Sequence, residues 1–205
     1  MFTLQCHTGG IAATNGYLIT LGDRHLVVDA PEGMAAWVEH LGVTPEALWL
    51  THQHFDHCQD AAALVQRFEC PLVAFSDYSR DLTLESLLGL TTGLPFSVPP
   101  FQVTHHASES EPLEALGHFW QVLHIPGHSL DSLCFYQPEG HLLLGGDVLF
   151  RDGVGRTDFP GGSWSQLLHG IETKILPLPD ETCLWPGHGP ETTVGRERTQ
   201  NPLLQ

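Results

Sequence analysis

A chain of 205 residues, 41% hydrophobic and 16% charged, is long enough for one well-cored domain and too apolar for a disordered tail. Eight Lys and Arg against 24 Asp and Glu give a formal charge of -16, which opposes a phosphate backbone and argues against nucleic acid as a partner. The longest apolar runs, such as HLLLGG, fall far short of the roughly 20 residues of a bilayer span, and MFTLQCHTGG lacks the basic start and apolar centre of a signal peptide. A soluble, cytoplasmic protein with no membrane partner is expected.

In chain order, LVVDA around Asp29 reads as a strand, 33–41 as a helix, ALWLT around Thr51 as a strand, 60–68 as a helix and PLVAF around Phe75 as a strand. FWQVLHI, LCFYQ and HLLLGG follow as strands, then a helix over 163–176 with Ser163 as its N-cap, then the strand TCLWP. Strands mixed with helices along the chain, several of them doubly apolar, predict an α/β layered fold in a single domain over 1–205. The breaker-rich segment 81–115, with TTGLPFSVPP and ASESEP, reads as a long irregular insert or lid, where Phe96 and Phe101 are candidates to pack on an apolar group.

Five cysteines, scattered and without a CxxC pair, suggest neither a disulfide framework nor a thiolate zinc knuckle. Fourteen histidines are the anomaly. An imidazole is costly to bury unless it is hydrogen-bonded or metal-bound, so the spacing of these residues carries the information.

After the strand ending at Thr51 comes HQHFDH, which crowds His52, His54, Asp56 and His57 into one turn before a helix. In an extended segment His52, His54 and Asp56 would share a face while a turn aims His57 elsewhere, so the cluster reads as half of a binuclear site. Three further candidates stand where strand ends meet Gly-containing turns: His128 in IPGHS, Asp147 in LGGDVLF and His188 in WPGHGP. Cys58 reads as structural, since no GxSxG elbow or partnered thiol marks a nucleophile. Asp131, in GHSLDS, reads as a solvated turn carboxylate.

HxHxDH, a later GH, a later D and a final GH in this order resemble the metallo-β-lactamase superfamily over 15–202. The resemblance implies a four-layer αβ/βα sandwich with metals at one edge of two facing sheets. It also implies that His52, His54 and His128 hold a first metal, that Asp56, His57 and His188 hold a second, and that Asp147 bridges them. Asp29 matches an aspartate that supports such sites, although Asp29, Ala30 and Pro31 replace the usual D-P-G and Gln59 and Asp60 replace the usual Gly pair. The imidazole and carboxylate set suits two zinc ions, with iron or manganese as substitutes. Two metals about 3.5 to 4 Å apart activate a bridging water and polarise the bond it attacks, with Asp56 and Asp147 as the catalytic carboxylates.

VLFRDGVGRTDFPGGS and PGHGPETTVGRERTQNP resemble the glyoxalase II-like branch, including its short bacterial members, rather than the classical lactamases. That branch implies hydrolysis of S-lactoylglutathione or a related small-molecule acyl thioester by metal-bound hydroxide. The resemblance to the short members implies no C-terminal helical domain such as the long members carry, which makes Arg156 the candidate anion contact, with Arg151, Arg196 and Arg198 as other choices. Persulfide dioxygenases share the GRTDF and ERxxNP signatures but hold one iron, here on His52, His128 and Asp147, and form the alternative. A non-catalytic metal-bearing binding module is the remote alternative.

Overall fold

The computed structural model describes residues 1–92 and 97–205. Contacts gather into two compact units, Phe2–His106 and Ala107–Gln205, the second joined by Met1. Each carries its own six-stranded sheet.

In the first unit β1 (Thr3–Gly9), β2 (Thr14–Leu21) and β3 (Arg24–Val28) form an antiparallel ladder. The strands β4 (Leu48–Trp49), β5 (Leu72–Ala74) and β6 (His105–His106) then add in parallel, so spatial order follows chain order. Parallel neighbours need long crossovers. Helices α1 (Met34–Leu41), α2 (Phe55–Cys58), α3 (Ala61–Phe68) and α4 (Glu85–Thr92) lie along them. Met34 and Val38 of α1, four residues apart, pack with Ala61 and Leu64 of α3 against Leu18, Val27, Leu48 and Leu72. Burying each of these leucines contributes about 1.5 to 3 kcal/mol.

The second unit runs β7 (Leu113–Ala115), β8 (His118–His124), β9 (Leu133–Gln137) and β10 (Leu142–Gly146) as antiparallel neighbours. A small hairpin, β11 (Leu149–Phe150) and β12 (Gly153–Val154), follows, and then α5 (Trp164–Gly170) passes into a π-helical turn at Ile171–Ile175. β13 (Cys183–Pro186) returns parallel to β10, β14 (Thr192–Thr193) flanks it, and α6 (Val194–Gln200) closes the unit. Leu167, Ile171 and Ile175 pack on Cys134, Tyr136, Leu143 and Leu184. Ser163 caps α5, its hydroxyl accepting the Gln166 N–H at 3.4 Å.

The strands expected from LVVDA through TCLWP and the helices expected over 33–41, 60–68 and 163–176 all form, the last changing to π geometry midway. Segment 81–115 departs from the expectation of an irregular insert, because it contains α4, β6 and β7. Within it the buried Glu85 carboxylate accepts the Val98 N–H at 2.8 Å. Phe101 is 8% exposed and packs edge-on to Tyr78 at 5.1 Å within the first unit's core, so it is a core residue and no acyl contact. Phe96 lies outside the described residues. Among the described residues no helix is long and apolar enough to cross a membrane.

Candidate metal centre

In the first unit the site is built on the chain leaving β4. Thr51 ends that stretch, His52 to His54 continue without regular structure, and α2 begins at Phe55. Asp56 and His57 therefore sit on a helical turn, which corrects the expectation that Asp56 continues an extended face with His52 and His54. The helical turn swings His57 back toward His52, their rings 4.1 Å apart, while the His52 and His54 rings lie edge-on at 4.6 Å. His52 offers a ligand atom within 4.8 Å of one on His54 and of one on His57, and Asp56 does the same toward His57.

The buried Asp29 organises this cluster. Its Oδ1 accepts the Thr51 N–H at 2.8 Å, and its Oδ2 accepts the Thr51 hydroxyl at 2.8 Å and faces His57 Nδ1 at 2.8 Å. A carboxylate only accepts, so His57 carries its proton on Nδ1 and presents the Nε2 lone pair. The single Thr51 hydroxyl proton is committed to Asp29, so the 3.1 Å contact from His52 Nδ1 to Thr51 Oγ1 is donated by the imidazole. His52 likewise presents Nε2. Asp56 is held by the Thr14 hydroxyl, which donates to its Oδ2 at 2.6 Å.

Gln53, fully buried between two of these histidines, fastens the turn to the loop after β5. Its amide donates to Ser76 O at 3.1 Å and Asp77 O at 3.0 Å, and its carbonyl accepts the Ser79 N–H at 3.0 Å. The Cys58 thiol donates to Gln53 O at 3.3 Å and His54 O at 3.4 Å, which agrees with its structural reading.

In the second unit three loops meet. His188 Nε2 lies 3.2 Å and His128 Nε2 3.5 Å from Asp147 Oδ2. His128 Nδ1 donates to the Arg156 carbonyl at 2.8 Å, which leaves Nε2 as its ligand atom. Gly127 is there for close approach. A Cβ on Gly127 would stand 2.5 Å from Leu167 N and 2.6 Å from Ser163 O, where the turn before His128 seats on the start of α5. Gly187 N–H donates to Gly146 O at 2.8 Å and ties the His188 loop to the Asp147 loop.

The Arg156 guanidinium forks onto Asp158 through two 2.7 Å hydrogen bonds and lies 4.0 Å over the Phe159 ring. Hydrogen bonding from Arg156 holds the Asp158 carboxyl down at about 2. Arg196 is engaged by Asp152 and Glu197, and Arg198 by Asp180 and the carbonyls of Leu176 and Leu178, so both are structural clamps. Asp131 is 2% exposed and accepts from the Ser129 hydroxyl, which corrects its reading as a solvated carboxylate. Sequence reasoning missed Thr14, Thr51 and Gln53, and it missed the backbone role of Arg156; Thr51, next to His52, and Gln53, inside HQHFDH, stood close enough to a motif to be noticed, whereas Thr14 did not.

The donors fit divalent metal. Each unit presents imidazole Nε2 atoms beside a carboxylate, with the far nitrogens of His52, His57 and His128 hydrogen-bonded in the manner that fixes metal-ligating imidazoles, and no thiolate among them.

A model of the metallo-beta-lactamase superfamily matches residues 9–188. The chain is 35% identical to "Probable metallo-hydrolase YqgX" of Bacillus subtilis over 201 residues, covering 95% of this chain and 94% of the relative. It is 37% identical to hydroxyacylglutathione hydrolase GloC of Haemophilus influenzae over 169 residues, covering 82% and 79%. Among solved structures it is similar to the BLEG-1 B3 metallo-beta-lactamase, with TM-score 0.86, 32% identity and 100% and 99% of the two chains covered. It is also similar to TTHA1623 in a di-iron-bound form, with TM-score 0.82, 38% identity and coverage of 98% and 100%.

Proposed function

The chain belongs to the metallo-β-lactamase superfamily and has its α/β fold, and from that premise we propose that it is a binuclear metal-dependent hydrolase of small-molecule acyl thioesters, of the hydroxyacylglutathione hydrolase kind. His52, His54 and His128 are assigned to one ion, Asp56, His57 and His188 to the other, and Asp147 to both. The observation that carries this reading is the Asp29 carboxylate, which through His57 and Thr51 fixes the tautomers that leave Nε2 of His57 and His52 as ligand atoms.

Divalent ions at such a site lower the pKa of water toward neutrality and polarise the carbonyl under attack. The protein's own part is orientation and proton handling. Asp56 and Asp147 are the carboxylates that take the proton of the attacking water. The water oxygen adds to the thioester carbonyl carbon, the C–S bond breaks, and the proton ends on the departing sulfur. Zinc and iron both suit the donors, and the similarity to a di-iron protein supports iron as well as zinc. The name of the GloC relative supports a glutathione thioester. In this reading the Arg156 guanidinium, whose Nε and Nη2 are given to Asp158, meets a substrate carboxylate through its remaining N–H groups.

The test pairs metal quantification with thiol release from S-lactoylglutathione, with a chromogenic cephalosporin assayed alongside. Close to two ions per chain, thioester turnover, and its loss in Asp147→Ala and His54→Ala are the expected results. Unchanged turnover in either variant overturns the ligand assignment. Turnover of the cephalosporin alone replaces the thioester reading with a lactamase one. A single iron with oxygen uptake on glutathione persulfide replaces it with a dioxygenase.

A further inference from the structure

In the second unit, segment 156–162 carries two opposite charges side by side next to a ligand loop. Arg156 gives its carbonyl to His128 Nδ1 at 2.8 Å, so its side chain starts from the residue that orients a ligand imidazole. Its Nε and Nη2 each donate to Asp158 at 2.7 Å, and the guanidinium lies 4.0 Å over the half-buried Phe159 ring. Both charged heads can be reached from solvent, the Arg156 side chain being 57% and the Asp158 side chain 65% exposed.

The loop holds this pair in place. Gly162 N–H donates to Phe159 O at 2.8 Å, and a Cβ on Gly162 would stand 2.2 Å from Thr157 O, so the turn closes tightly behind Asp158. Ser163 N–H donates to Gly127 O at 2.8 Å, and a Cβ on Gly161 would stand 2.9 Å from Leu130 Cγ, which seats the same turn on both sides of His128. A ligand therefore meets charges that are already oriented.

Electrostatics decides what such a pair reads. A lone arginine would draw in an anion, but this one is neutralised by Asp158 within a chain of charge -16, so it collects a bare carboxylate poorly. Local hydrogen bonding is what remains. The guanidinium edge formed by Nη1 and the outer N–H of Nη2 can still donate as a fork, and each Asp158 oxygen keeps a further lone pair. A carboxylate and an ammonium on one carbon satisfy both heads at once.

We propose that Arg156 and Asp158 form a subsite for the α-amino-acid end of the thiol carrier, with Asp158 as the specificity-determining residue. The guanidinium takes the carboxylate of that end and Asp158 takes its ammonium. The proposal rests on the thioester reading for the identity of the ligand as a thiol carrier. A carrier of the glutathione kind fits, because its γ-glutamyl end is such a zwitterion.

The test measures Kd by calorimetry for three uncleavable thioethers on the metal-loaded protein. They are S-propylglutathione, the analogue with glutaryl in place of γ-glutamyl, which lacks only the ammonium, and the analogue with 4-aminobutyryl, which lacks only the α-carboxylate. Each exposed ion pair is worth roughly a two- to five-fold preference, so S-propylglutathione binds about that much more tightly than either analogue. Asp158→Asn erases the preference over the glutaryl analogue, and Arg156→Gln erases the preference over the 4-aminobutyryl analogue. Equal binding of the three probes, no measurable binding of S-propylglutathione, or an ammonium preference that survives Asp158→Asn overturns the proposal. Weakening of all three probes alike by Asp158→Asn, with the preferences kept, reduces Asp158 to a structural brace and overturns it too. Turnover of S-lactoylglutathione decides the reaction separately, since the thioethers bind without being cleaved.

Discussion

His57 Nδ1 and Asp29 Oδ2 stand 2.8 Å apart, and Asp29 reaches that position only from a left-handed backbone at φ 60°. Outside glycine, Asp and Asn tolerate this region best, which explains a short polar residue at the end of β3. Asp29→Asn is expected to keep the backbone and lower metal affinity about 10- to 100-fold, because His57 and Thr51 lose their common acceptor. Asp29→Ala is expected to lose similar affinity and, in addition, about 1 to 2 kcal/mol of stability from backbone strain. Chelator competition and urea unfolding of the metal-free variants separate the two effects. Unaltered metal affinity in both would remove Asp29 from the site.

Gly155 presses on the backbone of the second unit's ligands. A Cβ there would stand 1.9 Å from Asp147 O and 3.0 Å from His128 Cβ, whereas one on Gly153 meets nothing nearer than 3.9 Å. Gly155→Ala is therefore expected to cut metal stoichiometry and lower the melting temperature, while Gly153→Ala leaves the stoichiometry intact. Arg156→Ala keeps the carbonyl that orients His128 and so keeps metal content. A rise in KM at constant kcat in that variant would identify its guanidinium as a substrate contact. Equal metal content in Gly155→Ala and the parent chain would refute the packing argument.

Much of the site was legible because ligand chemistry restricts residue type. HQHFDH, His128, Asp147 and His188 need particular side chains, and Gly127 marks a turn that the backbone requires. The strands β9 and β10 showed as apolar runs because all their residues are buried. In contrast β1 is exposed or half-buried throughout and α4 is interrupted by Gly89, so neither stands out as a buried apolar run. Thr14 bonds Asp56 across 42 positions, and no local pattern announces such a contact. Asp131 was misread because GHSLDS has the composition of a turn, whereas its burial depends on the surrounding fold.

The ERTQN stretch of α6 has a structural explanation. Glu197 is fully buried; its Oε2 accepts the Asp152 N–H at 2.8 Å and the Asn201 amide at 3.0 Å, and its Oε1 accepts the Thr192 hydroxyl at 2.5 Å. Asn201 also donates to Gly153 O at 3.1 Å, so α6 holds the β11–β12 hairpin that follows Asp147. Glu197→Ala is expected to cost about 3 kcal/mol by stranding these donors. Denaturant midpoints with matched slopes measure it, and a loss under about 0.5 kcal/mol would show the network to be dispensable.

Acid should loosen the segment around α4. Burial pushes the Glu85 carboxyl up, but the Val98 N–H and the Arg80 guanidinium together outweigh it and hold the carboxyl below its ordinary value of 4.5. The folded state thus binds the proton less readily than the unfolded chain does. Stability from this group is fully present above about 4.5 and is lost as pH falls through the lower folded value. Glu85→Gln is expected to be less stable than the parent chain at pH 7 and to approach it progressively below about pH 4.5, since protonation then gives both chains a neutral group facing Val98 and Arg80. Urea unfolding from pH 7 down to pH 3 tests this. A constant gap between the two chains across that range would show that the carboxylate charge contributes nothing to holding the segment.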